Sequence, residues 1–222
     1  MSCLSQMKLP LGNSIAWSEI DLAPESPGVY AWYSKLVISK ADIDAIVRRI
    51  NEAKVIGETN ARAEVEEALN RFVFNPYREN PYQVTLRGQL KPKYSGQIEH
   101  EPARSESLID RLVETPERFF AISEILKTAA PWFTSPLYIG MAINLRGRLR
   151  QHKNKIVELR DLHGQQDFDN TADAGFASQV VARNFDPTNL FVQITEVNVD
   201  SSEHNDLENI LNRINYPIFG RN

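Results

Sequence analysis

The run Val29-Tyr30-Ala31-Trp32-Tyr33 is aromatic and strand-prone, and the chain enters it through the turn Ser26-Pro27-Gly28. A strand needs a neighbour. The run closest in character, Pro136-Leu137-Tyr138-Ile139-Gly140, lies more than a hundred residues downstream. A third run, Asn189 to Val197, alternates apolar and polar residues as a half-buried strand does. A small sheet therefore has to be gathered from distant segments, and whatever lies between the first two must bud out of a hairpin without disturbing it.

The intervening stretch reads mostly as helix. Ser39 is a plausible N-cap for a helix carrying Ile43, Ile46, Val47 and Ile50 at spacings of three and four. A second helix, Ala61 to Phe72, puts Val65, Ala68, Leu69 and Phe72 on one face. Prolines and glycines dominate Phe74 to Pro102, which predicts loops with one short strand at Tyr82 to Leu86. Helices resume at Ser105 to Val113 and from Pro116 to about Ala129, where Pro131 is expected to end the second. After the second strand run a helix is expected from about Asn144 to Leu159, then a polar loop from His163 to Gly175. A last helix is expected from Ser202 to Ile214, stopped by Pro217.

These elements predict an α/β (α+β) fold whose core is a small, mainly antiparallel three-stranded sheet flanked by helices. The expected division is a discontinuous core, residues 1–34 and 136–222, around a mostly helical insertion at 35–135. The single cysteine, Cys3, rules out an internal disulfide and a cysteine-clustered zinc site. No apolar run reaches the length that crosses a bilayer, and the first residues lack the pattern of a signal peptide, so the expected location is the cytoplasm with no membrane partner. The net charge of −4 argues against a generic polybasic DNA binder.

Alternation along a strand puts Tyr30 and Trp32 on one side and Val29, Ala31 and Tyr33 on the other, while Tyr138 opposes Leu137 and Ile139. If the two strands pair, both tyrosines reach one face. On the next helix Arg148 and His152, four residues apart, project from the same side, with Leu145 and Leu149 as the adjacent apolar ridge. Two phenols, a guanidinium and an imidazole thus converge on one edge. Charge follows the same segment: from Met141 to Val157 there is no acidic residue, while Arg146, Arg148, Arg150, Lys153 and Lys155 surround His152. Such a stripe suits nucleic-acid phosphates, and Arg87, Lys91, Lys93 and Tyr94 extend the basic set into the insertion.

The ordered set Gly28-Val29-Tyr30, Tyr138-Ile139-Gly140, Asn144-Leu145 with Arg148-Leu149 and His152, then Leu207-Glu208 with Pro217 and Asn222, resembles the motifs of the GIY-YIG nuclease superfamily. In typical members about ten residues separate the two named motifs, so the resemblance covers the first strand, Leu137 to about Leu159 and the final third, and leaves the insertion out. It implies a metal-dependent endonuclease that hydrolyses phosphodiester bonds, with double-stranded DNA as the partner in restriction, phage defence or repair. Glu208 would be the single carboxylate holding Mg²⁺ or Mn²⁺, with waters completing the shell. Tyr30 would be the general base assisted by His152, Tyr138 would order water or phosphate, and Arg148 would clamp the scissile phosphate. Asn222 matches the asparagine that follows the family's proline. Arg146, Arg150, Lys153 and Lys155 would contact the nucleic acid.

Glu203 is the rival metal ligand, but it lies about 140° around a helix from Glu208, and a first-turn glutamate behind the N-cap Ser202 is explained by the helix dipole. His100, between Glu99 and Glu101, reads as a solvated loop residue. The insertion is open to use as a recognition element, a lid, or a surface for a protein partner or self-association. The alternatives are a non-catalytic nucleic-acid-binding or regulatory module on a nuclease scaffold, and an RNA-directed nuclease.

Overall fold

The computed structural model describes residues 13–78, 81–88, 93–99, 103–163, 175–197 and 203–219. In chain order the elements are β1 (Asn13–Ala16), a 3-10 turn (Trp17–Leu22), β2 (Gly28–Ser34), α1 (Lys40–Ile56), α2 (Glu58–Leu69), β3 (Tyr82–Leu86), β4 (Tyr94–Ile98), α3 (Glu106–Glu114), α4 (Arg118–Phe133), β5 (Tyr138–Ala142), α5 (Leu145–His163), α6 (Phe176–Ala182), β6 (Leu190–Glu196) and α7 (Glu203–Asn215). The chain forms two compact units, one of residues 1–36 with 127–222 and the other of residues 37–126. Helix and antiparallel sheet are mixed, so the fold is α+β.

In the first unit the sheet has the order β1-β6-β2-β5 with every pair antiparallel. It has four strands where three are expected from the sequence. The addition, β1, is four residues long, pairs Asn13 with Ile194 and Ala16 with Phe191, and carries one buried aliphatic side chain, Ile15. Such a strand is too short to show a period. The central register sets Tyr30 opposite Gly140 and Ile194, and Trp32 opposite Tyr138 and Val192. Because opposed residues in an antiparallel ladder share a face, Tyr30, Trp32, Tyr138 and Gly140 lie on one side of the sheet.

Helix α5 starts where Asn144 accepts a 2.7 Å bond from the Gly147 amide, an N-cap formed by a side chain. Leu145, Leu149 and Ile156 on this helix are fully buried. Gly28 lets β2 begin close beside β6 and under α5: a Cβ there would collide with the Thr195 carbonyl and lie 2.7 Å from Leu145 Cδ1. Helix α6, which the sequence leaves unassigned, buries Phe176, Ala177, Val180 and Val181, and Phe176 stacks on Trp32 at 5.2 Å between ring centroids. The polar loop expected at 163–175 lies outside the described residues but for its two ends.

The second unit contains α1 and α2, packed against each other, with α3 against α2. Ser39 caps α1 as expected, its hydroxyl accepting from the Asp42 amide at 3.1 Å. Arg62 on α2 grips both Glu106 and Asp110 on α3. Two expectations need correction. Residues 74–102 hold a two-stranded hairpin, β3 with β4, where one lone strand is expected, because Gly96 and the prolines hide the second strand's pattern. Helix α4 runs past position 131 to Phe133, and the Thr134 amide still reaches the Ala130 carbonyl at 2.9 Å. A proline this near a helix end removes one backbone bond and the last turn tolerates the loss. The boundary between the two compact units falls inside α4, between residues 126 and 127. Among the described residues no helix is long and apolar enough to cross a membrane.

Candidate active site

Tyr30 and Tyr138, 108 positions apart in the sequence, meet across the β2–β5 ladder with ring centroids 6.2 Å apart. The ladder fits them together through Gly140. A Cβ on that residue would lie 2.6 Å from the Tyr30 hydroxyl oxygen and 2.8 Å from Tyr138 Cε1, so the absent side chain is the space that the two phenols fill. Tyr30 is 1% exposed and Tyr138 half-buried.

Above them α5 supplies Arg148 and His152. The Tyr30 hydroxyl lies 2.8 Å from His152 Nε2, and Arg148 Nε donates a long 3.4 Å bond to the same oxygen. Arg148 is exposed, and one of its terminal nitrogens donates to Gln151 at 3.2 Å. His152 is buried in an aromatic box of Tyr30, Tyr138, Trp32 and Phe176, their centroids 5.2–6.3 Å from its ring.

This environment sets the protonation states. Burial pushes the Tyr30 phenol well above its usual range, the neighbouring Tyr138 adds to the rise, and Arg148 offsets part of it. Burial, and secondly the Arg148 charge, push His152 down to about 4. Both groups are therefore neutral at pH 7. Arginine has only donors, so the Tyr30 oxygen accepts from Arg148; in the Nδ1–H tautomer of neutral His152 the Tyr30 hydroxyl donates to Nε2, and in the other tautomer Nε2–H donates to Tyr30.

One consequence reaches stability. His152 titrates at about 4 when folded and near 6.5 when unfolded. Between those values the unfolded chain binds more protons, so the contribution of neutral His152 is fully present above pH 6.5, declines as pH falls, and is gone below about 4. The difference amounts to about 3 kcal/mol. Urea unfolding at pH 7 and pH 4 should show this loss, and His152→Gln should remove it. An equally steep acid limb in the variant would mean that other groups carry it.

Glu208 sits on α7, which packs against β5 and β2. It is half-buried, and its charge is felt at Tyr30, where it raises the phenol further. Tyr30, Tyr138, Arg148 and His152 are thus brought together with Glu208 in electrostatic range, while Asn222 lies outside the described residues. So do Cys3, Lys91, His100 and the side chains of Glu203 and His204.

The basic stripe divides between two sides of α5. Arg146 bonds the Ala23 carbonyl at 2.6 Å and Glu25 at 2.8 Å, and Arg150 bonds Asp21 at 2.5 Å. Lys153 rests over the Trp17 ring. These three fasten the 3-10 turn and the entry to β2. On the other side Arg148, Gln151, His152 and Lys155 line a cleft of about 390 Å³, although Lys155 also pairs with Glu158 at 3.2 Å. Phe176 and Ser178 complete its wall. Both are site residues that motif matching misses. The signal for α6 is the apolar spacing of Phe176, Ala177, Val180 and Val181, which gives a helix without pointing to a cleft.

Among the described residues no group of three or more His, Cys, Asp and Glu side chains gathers as a self-sufficient metal site. A hard divalent ion that keeps most of its waters needs only one or two carboxylates, and Glu208 is a carboxylate in electrostatic range of Tyr30. No protein-family model matches this chain, and no curated protein or solved structure matches it either.

Proposed function

We propose that this cleft is the active site of a GIY-YIG-like, divalent-metal-dependent endonuclease that hydrolyses phosphodiester bonds in DNA in the cytoplasm. The observation that carries the reading is the hydrogen-bonded chain Arg148–Tyr30–His152, assembled from β2 and α5 over the glycine that accommodates both phenols. In this reading the attacking water gives its proton to the Tyr30 oxygen as the Tyr30 proton passes to His152 Nε2. One relay thus generates the nucleophile without a free phenolate.

Arg148 donates to the phosphate, and docking of that anion offsets the guanidinium charge that lowers His152, making the imidazole a better proton acceptor as substrate arrives. Tyr138, half-buried on the cleft wall, positions phosphate or water. Glu208 would hold Mg²⁺ or Mn²⁺, which would stabilise charge on the phosphate and the leaving oxygen.

The test is cleavage of labelled duplex DNA and, in parallel, of RNA, by the full chain with Mg²⁺, with Mn²⁺ and with chelator. Metal-dependent DNA cleavage is expected, and Glu208→Ala should lower it by roughly a thousandfold, several kcal/mol of barrier. Full activity in Glu208→Ala, or cleavage that ignores chelator, overturns the metal assignment. Metal-dependent cleavage of RNA alone transfers the site to that substrate.

A further inference from the structure

The β3–β4 hairpin of the second unit is a ribbon exposed on both sides. Its register places Tyr82 opposite Ile98, Val84 opposite Gly96 and Leu86 opposite Tyr94, so these six share one face. The other face carries Gln83, Thr85, Ser95 and Gln97. Leu86, Tyr94 and Ile98 are each more than half exposed and Tyr82 is 41% exposed, and a Cβ added to Gly96 meets nothing within 4 Å. An isolated two-stranded hairpin is marginal in water, and this one leaves its apolar side wet.

Charge indicates what covers that side. Arg87 directly follows β3 and Lys93 directly precedes β4, so both cations stand at the same end of the ribbon. Both are exposed, and neither makes an ion pair among the described residues. From Pro81 to Ile98 the sequence has no carboxylate, in a chain with 29 acidic and 25 basic residues. A second copy would bring the same cations and no compensating anions on this segment, whereas a nucleic acid brings phosphates.

We propose that the β3–β4 ribbon is a minor-groove arm for double-stranded DNA. The apolar face, centred on the Leu86–Tyr94 pair, lies against the sugar walls of the groove while Arg87 and Lys93 reach the flanking phosphates. The amides and hydroxyls of the other face stay in water. The minor groove of B-DNA is about 6 Å wide, so the ribbon must widen it. That deformation is least costly at flexible steps such as TA, and it favours A·T-rich sites. Duplex RNA is a poorer occupant because 2′-hydroxyls line its minor groove, and an apolar face would strip them of water. DNA as the occupant rests on the phosphodiesterase reading of the cleft.

The experiment is fluorescence anisotropy of the full chain with a labelled A·T-rich duplex in chelator, where no cleavage competes, repeated over a range of salt. For Arg87→Ala with Lys93→Ala the affinity should fall about tenfold or more, and the slope of log affinity against log salt should lessen by about 1.8 for two lost phosphate contacts. For Leu86→Ser with Tyr94→Ser the affinity and the A·T preference should fall with the slope unchanged. Binding within twofold of wild type in either double variant overturns the proposal. So does loss of self-association in sedimentation with DNA affinity intact, which assigns the face to a second copy. If the variants lose binding but the wild type cleaves nothing with Mg²⁺ or Mn²⁺, the nuclease reading fails and the arm stands. If they bind and cleave as wild type does, the arm fails and the nuclease stands.

Discussion

Alanine at Arg148 is expected to slow phosphodiester cleavage by roughly three orders of magnitude and to leave folding stability within about 0.5 kcal/mol. The side chain is exposed, so little packing is lost with it. Its position explains the size of the effect, for it faces the cleft and it holds the Tyr30 oxygen. Lysine should not restore the rate, because a point charge cannot serve phosphate and phenol with a planar fork. A second readout separates chemistry from structure: without the guanidinium the His152 titration, followed by NMR, should move upward, since that charge is the second cause of its depression. Cleavage by Arg148→Ala within tenfold of wild type would remove Arg148 from the site.

Gly140→Ala should be costly to both stability and activity. The added methyl carbon would lie 2.6 Å from the Tyr30 hydroxyl oxygen and 2.7 Å from its Cζ, and Tyr30 is buried and bonded to His152. Something must shift, and overpacking of this kind costs about 1–3 kcal/mol. Displacing the phenols by about 1 Å should also slow cleavage by about a hundredfold. Urea unfolding and a kinetic assay on the same preparation measure the two effects. A variant with normal stability and normal rate would show that the rings are not held as tightly as this packing requires.

The parts of the molecule legible in the sequence are those whose side chains repeat a period. Val29 to Tyr33, Leu190 to Ile194 and the faces of α1, α5 and α7 announce themselves because burial selects every second, or every third and fourth, residue. That Tyr30 and Tyr138 share one face of the sheet follows from the same alternation plus the motif order, even across the insertion. Strand β1, four residues long, shows no period, and helix α6, seven residues long, carries its apolar spacing over too few turns to be assigned. The hairpin's second strand is masked by Gly96, a residue that reads as a loop and here sits in a ladder. Among the cations, sequence cannot separate Arg146 and Arg150, held by the Ala23 carbonyl, Glu25 and Asp21, from Arg148, which faces the cleft. The partners are acceptors more than a hundred positions away, and only the folded chain brings them close.

The ladder that joins Tyr30 to Gly140 also closes a very long loop. Loop closure grows as the logarithm of length, so bringing β5 to β2 across about a hundred residues instead of about ten costs on the order of 2 kcal/mol more. That cost is met before any site contact forms. Prior compaction of residues 37–126 would shorten the effective tether and lower that cost. Synthesis sets an order, because β5 and α5 leave the ribosome after the whole of the second unit. The nascent chain thus carries no assembled cleft until most of its length has been made.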